Sequence, residues 1–457
     1  MNFNYKSISD APSYTALRAY ILPKGRLAYV KTFGCQQNEA DSERIVGILL
    51  DLGFRMTEDA SCADLIILNT CSVRAHAEDK VFSTLGGFKE YRRKNPELII
   101  GVVGCMGANS AAVDKLRRDF HYVSFTLGAG VMHKLPEVLY GIISGGGRKF
   151  VEPDPRENIV EGIPVKRVSD KTAYVSIMYG CNNFCSYCIV PYTRGRERSR
   201  CSADIIAECR ELISSGVCEI TLLGQNVNSY SADISFPELL SAIVRLEGKF
   251  ILRFMTSHPK DVSAELVRVM GKYPEKIAPA FHLPLQSGSD RVLLDMNRRY
   301  TKQSFIDTAD MIKAGVTDVY LTTDVIVGYP GESEEDFIET LDVLSRVRFD
   351  AVYAFLYSPR EGTVAARRAD TVEHSVKKRR LSQLLQLQDE ILISKNRELI
   401  GRVFTVLCES CEGETSRGRA CSGRPVYFDR KNAAPGKYVK VKITSVGAYG
   451  LVGCEVE

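Results

Sequence analysis

Cys181, Cys185 and Cys188 stand in the stretch YGCNNFCSYCIVPYTRGRERSR, residues 179–200. A C-x-x-x-C-x-x-C run puts three thiols on one short loop, and Asn182, Asn183 and Ser186 keep that loop polar. Three thiolates can ligate three irons of a cubane cluster and leave the fourth iron open to an outside ligand. A structural zinc takes four protein ligands, and no histidine lies near this run to complete such a set.

A second trio is scattered along the chain. Cys35 follows YVKTFG, Cys71 follows IILNT and Cys105 follows IIGVVG. Each comes just past the carboxyl end of an apolar, β-type run. If the three runs are parallel strands of one doubly wound sheet, their carboxyl ends share an edge and the thiols meet there. For any one of them, a buried thiol at a tight turn is the plainer reading. Cys62, Cys201, Cys209 and Cys218 have no matching placement and read as structural. Cys408 and Cys411 form C-x-x-C near the carboxyl end, with Cys421 and Cys454 beyond. Their spacing is irregular, and they too read as structural thiols.

The elements that must position these residues follow from hydrophobic patterning. Residues 1–25 read as a poorly structured extension. LAYVKTF (27–33), DLIILNT (64–70) and ELIIGVVG (97–104) are strand-like, each followed by a helical pattern, around 39–52, 75–91 and 111–119. Nearly continuous apolar strands alternating with helices predict a parallel, doubly wound sheet. A stretch rich in Gly, Pro and charge, 143–166, reads as a linker. Six further strands are predicted at 173–179, 218–224, 251–257, 279–285, 319–328 and 351–358. Helix-compatible segments between them predict a partial (β/α)6 barrel, with ligand groups at the carboxyl ends of its strands. A long amphipathic helix is expected over 376–401, closed by Gly401. Short alternating strands after it predict a small all-β, OB-like module. The expected domains are 26–142, a linker at 143–166, 167–397 and 398–457.

Composition narrows the class. The chain has 457 residues, 45% hydrophobic and 25% charged, with net charge +4. That length implies two or three cores, and the balance argues against wholesale disorder. No apolar run approaches the roughly 18 residues of a membrane span, and the N-terminus lacks the apolar stretch of a signal peptide. A cytoplasmic location is expected. Fourteen cysteines in a reducing compartment point to metal or redox chemistry rather than structural disulfides. Arg194, Arg196, Arg198 and Arg200 occupy alternate positions after the cysteine loop and would share one side if extended. They are candidates for RNA phosphate contact, with ion pairing to Glu197 and other carboxylates as the equal alternative.

The C-x-x-x-C-x-x-C run at the end of a first barrel strand resembles the signature of radical S-adenosylmethionine enzymes. Together with the N-terminal trio and the terminal β module, the chain resembles the methylthiotransferases of that superfamily over roughly residues 26–457. The resemblance implies that Cys181, Cys185 and Cys188 hold one 4Fe–4S cluster, and Cys35, Cys71 and Cys105 an auxiliary one that carries sulfur. It implies S-adenosylmethionine as methyl donor and as source of a 5′-deoxyadenosyl radical, and a C-terminal TRAM domain that binds RNA. Strand-end polar groups Gln225, Asn226, Ser257, His258, Gln286 and Ser287 become candidate cofactor contacts. LRFMTSHPKD, HLPLQSGSDRVLLDMNRRYT, TTDVIVGYPGESEEDF and FLYSPREGTVAA are similar to the branch that methylthiolates carbon 2 of isopentenyladenosine beside the tRNA anticodon (position 37). The implied partners are an anticodon stem-loop and an electron donor such as flavodoxin or ferredoxin, with no membrane and no zinc. Sister enzymes acting on threonylcarbamoyladenosine or a ribosomal protein are the alternative, and a non-catalytic iron–sulfur RNA-binding protein is the alternative of another class. Two departures stand out: the extension at 1–25, and Tyr329 in GYPGE, where phenylalanine is more usual. Neither is expected to touch the clusters.

Overall fold

The computed structural model describes residues 3–71, 75–152, 159–429, 431–447 and 450–456. Leu65–Thr70 and Ile99–Gly104 are buried at every position, the mark of central strands covered on both faces. They lie in a six-stranded, all-parallel sheet. Its order is Arg55–Met56, Leu27–Phe33, Leu65–Thr70, Ile99–Gly104, Phe125–Gly128 and Lys149–Val151. Successive side chains alternate between the faces. Leu65 and Ile67 join Ile45, Ile48 and Leu49 of helix Gln36–Asp51 on one side. Ile66 and Leu68 join Val81 and Leu85 of helix Ala75–Lys94 on the other. The doubly wound expectation holds, and strands at 55–56, 125–128 and 149–151 extend it.

The amino-terminal segment is ordered, contrary to the expectation of a loose extension. Helix Pro12–Ile21 buries Tyr14, Leu17 and Ile21, spaced to share one helical face. These side chains enter the core beneath Gln36–Asp51 and Leu135–Ile143. Tyr14 donates to Asp51, and Phe3–Asn4 pairs in parallel with Val160–Glu161. The predicted linker is therefore partly structural: Lys149–Val151 is a sheet strand and Val160–Glu161 anchors the N-terminus, while 153–158 lie outside the described residues. Replacing Leu17, 1% exposed, with alanine is expected to cost about 2–5 kcal/mol in this domain, read as an earlier urea transition.

Six parallel strands then form an open barrel. Thr172–Ser176, Glu219–Leu223 and Ile251–Phe254 make one half, and Ala280–His282, Tyr320–Val327 and Ala351–Leu356 the other. A parallel bridge from Leu252 to Ile277 joins the halves. The predicted first strand is broken: Met178–Tyr179 leaves the barrel and pairs with Arg198–Ser199. The long helix ends at Arg397 rather than 401, before a turn in which Gly401 has φ +88°. It packs Leu384 into the barrel core.

The last five strands, between Val403 and Val456, close into a small barrel. It docks through a half-buried ion pair, Arg419–Glu219 at 2.6 Å, and a buried one, Arg424–Asp350 at 2.8 Å. Glu219 also pairs with Arg253 at 2.8 Å. Such pairs add little net stability but fix relative orientation, because an unpaired buried charge is costly. Glu219 opens its strand and Asp350 directly precedes Ala351, so the module sits at the amino ends of the barrel strands. Among the described residues no helix is long and apolar enough to cross a membrane.

Candidate active site

In the N-terminal sheet, Phe33 lies opposite Thr70 and Thr70 opposite Gly104. Parallel register thus delivers Cys35, Cys71 and Cys105 to one edge. Cys35 precedes helix Gln36–Asp51, and Cys71 donates its backbone N–H to the Phe33 carbonyl at 2.9 Å. Gly104 turns the third strand toward the site with φ +89°. A Cβ there would stand 2.4 Å from Asn69 Oδ1, so only glycine fits. Asn69 donates to the Asn38 carbonyl at 2.7 Å and to Ser42 at 2.8 Å, and Asn38 Nδ2 donates to Asn69 Oδ1 at 3.2 Å. This buried amide pair locks the first two cysteine loops together, a role that nothing in the local sequence marks.

Cys71 lies in hydrogen-bonding contact with both other thiols. Cys35 and Cys105 are each brought down to about 6, first by their hydrogen bonds with Cys71, while those same bonds raise Cys71 itself. One proton is held at the centre and the negative charge moves to the flanks. The cation that faces this charge is Arg194. Its Nε donates to Cys105 Sγ at 3.1 Å and its Nη2 to Asp41 at 3.0 Å.

That placement corrects the reading of the four arginines as a cationic strip. Gly195, with φ +77°, breaks the segment, and only Arg198–Ser199 is extended, so alternate positions do not share a side. Arg194 and Arg200 are 7% and 5% exposed. Arg200 bonds Glu161 at 2.7 Å, Glu208 at 2.8 Å and the Ser176 carbonyl at 2.7 Å. Arg198 is half-buried in the cleft with Asp41, Arg44 and Tyr179, and Arg196 is exposed.

The Cys181–Cys188 loop is held from several sides. Gly180 has φ +77°, and a Cβ there would lie 2.1 Å from the Arg196 carbonyl. Its N–H donates to Gln225 Oε1 at 2.5 Å, and the Cys181 N–H to the Gly195 carbonyl at 3.2 Å. Arg298, 7% exposed, donates to Cys185 Sγ at 3.4 Å and to the Pro284 carbonyl at 2.9 Å. Burial raises the Cys181 thiol, and burial with the neighbouring cysteine sulfurs pushes Cys188 up to about 12. Closely set thiols of this kind share negative charge only when a cation joins them, which is the chemistry of a metal-binding set. Among the described residues no three His, Cys, Asp or Glu side chains close round a single ion; a cubane spreads three ligands over three irons.

Tyr329 does touch this loop. It is fully buried, and its hydroxyl stands 2.8 Å from Ser186 Oγ and 3.1 Å from the Asp295 carbonyl. Ser186 separates Cys185 from Cys188, so the hydroxyl that distinguishes this residue from phenylalanine pins the cysteine loop. Tyr329→Phe is expected to cost about 1 kcal/mol, seen as faster iron loss to a chelator.

Of the predicted cofactor contacts, Gln225 touches the cysteine loop and the others follow the carboxyl ends of neighbouring barrel strands. Gln225 braces Gly180. Asn226 Nδ2 donates to Asp261 at 2.7 Å, while Asn226 Oδ1 and Ser257 Oγ are buried without a partner. His258, 4% exposed, is lowered to about 2 by burial and by Arg298 and Lys260, so its imidazole is neutral. Gln286 sits at φ +70°, its backbone paired with Asp324 and Ile326, and Ser287 is fully buried beside it. Buried, unpaired acceptors and donors beside a three-thiol loop fit a polar small-molecule ligand. Arg298, Asn38 and Asn69 were not picked out from the sequence, and Tyr329 was noted only as a departure not expected to touch a cluster. Their partners lie 31 to 143 positions away, and no local pattern announces them.

An open six-stranded barrel with a three-cysteine loop at its first strand defines the class of radical S-adenosylmethionine enzymes. Residues 175–344 match the Radical SAM superfamily, and residues 27–128 match the Uncharacterized protein family UPF0004. The fold is similar to that of a radical S-adenosylmethionine methyltransferase, TsrM, from Kitasatospora setae, with TM-score 0.56 and 15% identity over 75% of this chain and 77% of that one. It is also similar to the cobalamin-dependent S-adenosylmethionine radical enzyme OxsB, with TM-score 0.53 and 11% identity over 80% of this chain and 56% of that one. Closer relatives share sequence throughout. The tRNA-2-methylthio-N(6)-dimethylallyladenosine synthase of Thermoanaerobacter sp. (strain X514) is 44% identical over 95% of this chain and 94% of its own length. That of Clostridium beijerinckii is 43% identical over 94% of this chain and 96% of its own. The chain belongs to the family of tRNA-2-methylthio-N(6)-dimethylallyladenosine synthases.

Proposed function

We propose that this chain methylthiolates carbon 2 of isopentenyladenosine, that is N(6)-dimethylallyladenosine, at tRNA position 37 by a radical S-adenosylmethionine mechanism. The observation that carries the reading is the presence of two three-thiol sets, with Arg194, from the segment after the Cys181–Cys188 loop, bonded to Cys105 of the other set, in a chain 44% identical to enzymes of that name. Cys181, Cys185 and Cys188 are assigned to one 4Fe–4S cluster, and Cys35, Cys71 and Cys105 to a second. When bound, the clusters supply one-electron chemistry on S-adenosylmethionine and an iron to carry sulfur, which suits a C–H bond too weakly acidic for acid–base catalysis.

The chain's own residues orient and shield. Gln225 sets the backbone of the cysteine loop, and Arg298 and Arg194 each hold one cysteine sulfur against a buried guanidinium. The neutral imidazole of His258, with Asn226 Oδ1 and Ser257 Oγ, offers uncharged polar contacts to S-adenosylmethionine. Cys71, Cys105 and Cys185 are buried, which shields those three sulfurs from bulk water. We assign the N-terminal domain to about 26–142, now with residues 3–24 packed onto it, the barrel to 167–397 and the RNA-binding module to 398–457. The reading places the enzyme in the cytoplasm with a small reductase partner such as flavodoxin or ferredoxin.

The test incubates anaerobically reconstituted protein with isopentenylated tRNA, S-adenosylmethionine, sulfide and reductant, followed by nucleoside mass spectrometry. A 2-methylthio derivative of isopentenyladenosine is expected. Product only from threonylcarbamoyl-adenosine tRNA or from a ribosomal protein would move the chain to a sister activity.

A further inference from the structure

Three side chains beside the cysteine loop form a surface that the chemistry above does not use. Phe184, the residue before Cys185, has φ +47°, a left-handed conformation that a bulky aromatic adopts only when its surroundings impose it. Asn297 imposes it, donating to the Phe184 carbonyl at 2.9 Å and to the Asn183 carbonyl at 3.2 Å. The result is a half-buried ring at the rim of the loop. Tyr192 meets it edge to face, with centroids 6.1 Å apart at 87°, and is 48% exposed. The Arg196 guanidinium lies 4.2 Å over the Phe184 ring.

Arg196 differs from the other arginines of its segment. Arg194 is spent on the buried Asp41 and Arg200 on the half-buried Glu161 and Glu208, whereas Arg196 makes no ion pair with any described residue, and Glu197 turns away to Ser229. A planar cation fixed on an aromatic ring, next to a second exposed ring, is the chemistry that grips unpaired nucleotides: rings stack on bases and the guanidinium takes the phosphate. A double helix, whose bases are already stacked, makes no such use of it.

We propose that Phe184, Tyr192 and Arg196 form a subsite for an unpaired RNA nucleotide flanking the one that is modified. The proposal rests on the RNA-modifying function proposed above and names the surface that delivers the loop. Phe184 adjoins Cys185, so any RNA segment offering a base to the cysteine loop passes close to this rim. The strained backbone sets the ring before RNA arrives, which limits the ordering cost of binding.

Fluorescence anisotropy of the reconstituted enzyme with a labelled isopentenylated anticodon stem-loop tests it. Tyr192→Ala and Arg196→Met are each expected to weaken binding about tenfold, while Tyr192→Phe binds as wild type. Arg196→Met is also expected to reduce the slope of log affinity against log salt by about 0.7, one single-strand phosphate contact. Iron content equal to wild type verifies that each variant keeps its loop. Unchanged affinity and slope in both variants, with a wild type that binds and forms product, would overturn the subsite alone. Equal weakening toward a blunt duplex without a loop would overturn it as well, by reducing the effect to general charge. A wild type that neither binds the stem-loop nor forms methylthio product would overturn the function and the subsite together.

Discussion

Cys71→Ala is expected to lower bound iron from about eight to about four per chain, two cubanes to one, and to remove methylthio product while S-adenosylmethionine is still cleaved. Cys71 is the thiol of its set that contacts both others, and it is 3% exposed. Alanine removes the thiol that links the other two and leaves Cys35 and Cys105 without the group that shares a proton or a metal with both. The barrel loop stands on separate supports, Gln225, Arg298 and Tyr329, and should retain its four irons. Cys185→Ala gives the mirror image: the same loss of iron, with 5′-deoxyadenosine formation abolished. Iron and sulfide quantification beside chromatography of 5′-deoxyadenosine reads both. If Cys71→Ala keeps eight irons, or loses cleavage as completely as Cys185→Ala, two independent sites are the wrong description.

Arg194→Met is the second large effect. The guanidinium is shared between Asp41, 2% exposed, and Cys105, 1% exposed, across the interface of the N-terminal domain and the barrel. Removing it strands a carboxylate in a site built for an ion pair, and breaking such a pair costs about 3–5 kcal/mol. The N-terminal domain should unfold at lower urea, and its cluster should leave faster under chelation. Asp41→Asn on the Arg194→Met background removes the stranded charge. It is expected to restore much of the stability but not the iron retention, because Cys105 still lacks its donor. Anaerobic urea titration with parallel iron assay separates the two outcomes. Wild-type stability and iron in Arg194→Met would show that the bridge contributes nothing.

The parts of this protein that were legible from sequence are those governed by local or repeating geometry. C-x-x-x-C-x-x-C read as a ligand set because three thiols on eight residues cannot separate. Cys35, Cys71 and Cys105 were legible because parallel strands deliver their carboxyl ends to one edge whatever the loops between them contain. The apolar runs at 65–70 and 99–104 read as central strands because both of their faces are covered.

Other features depended on partners far along the chain. Residues 1–25 carry their apolar groups in no continuous strand-like run, so they read as loose. Tyr14, Leu17 and Ile21 become core only because helices Gln36–Asp51 and Leu135–Ile143 leave a groove that accepts them. Four arginines in alternation look equivalent, since composition and spacing are blind to a carboxylate 153 positions away. Folding sorted them by which charges could be buried in pairs: Arg194 and Arg200 went inward, and Arg196 stayed on the rim over Phe184. Tyr329 acquired a role the same way, its one added oxygen meeting Ser186 from 143 positions off. The doubly wound sheet, the barrel strands and the placing of both cysteine trios at strand ends were thus legible in the sequence itself, because they rest on residue chemistry and short-range periodicity, while the reaction class came from the family resemblance. The fate of each charged or polar side chain was decided by the tertiary structure, because burial and pairing arise only when distant segments enclose the same volume.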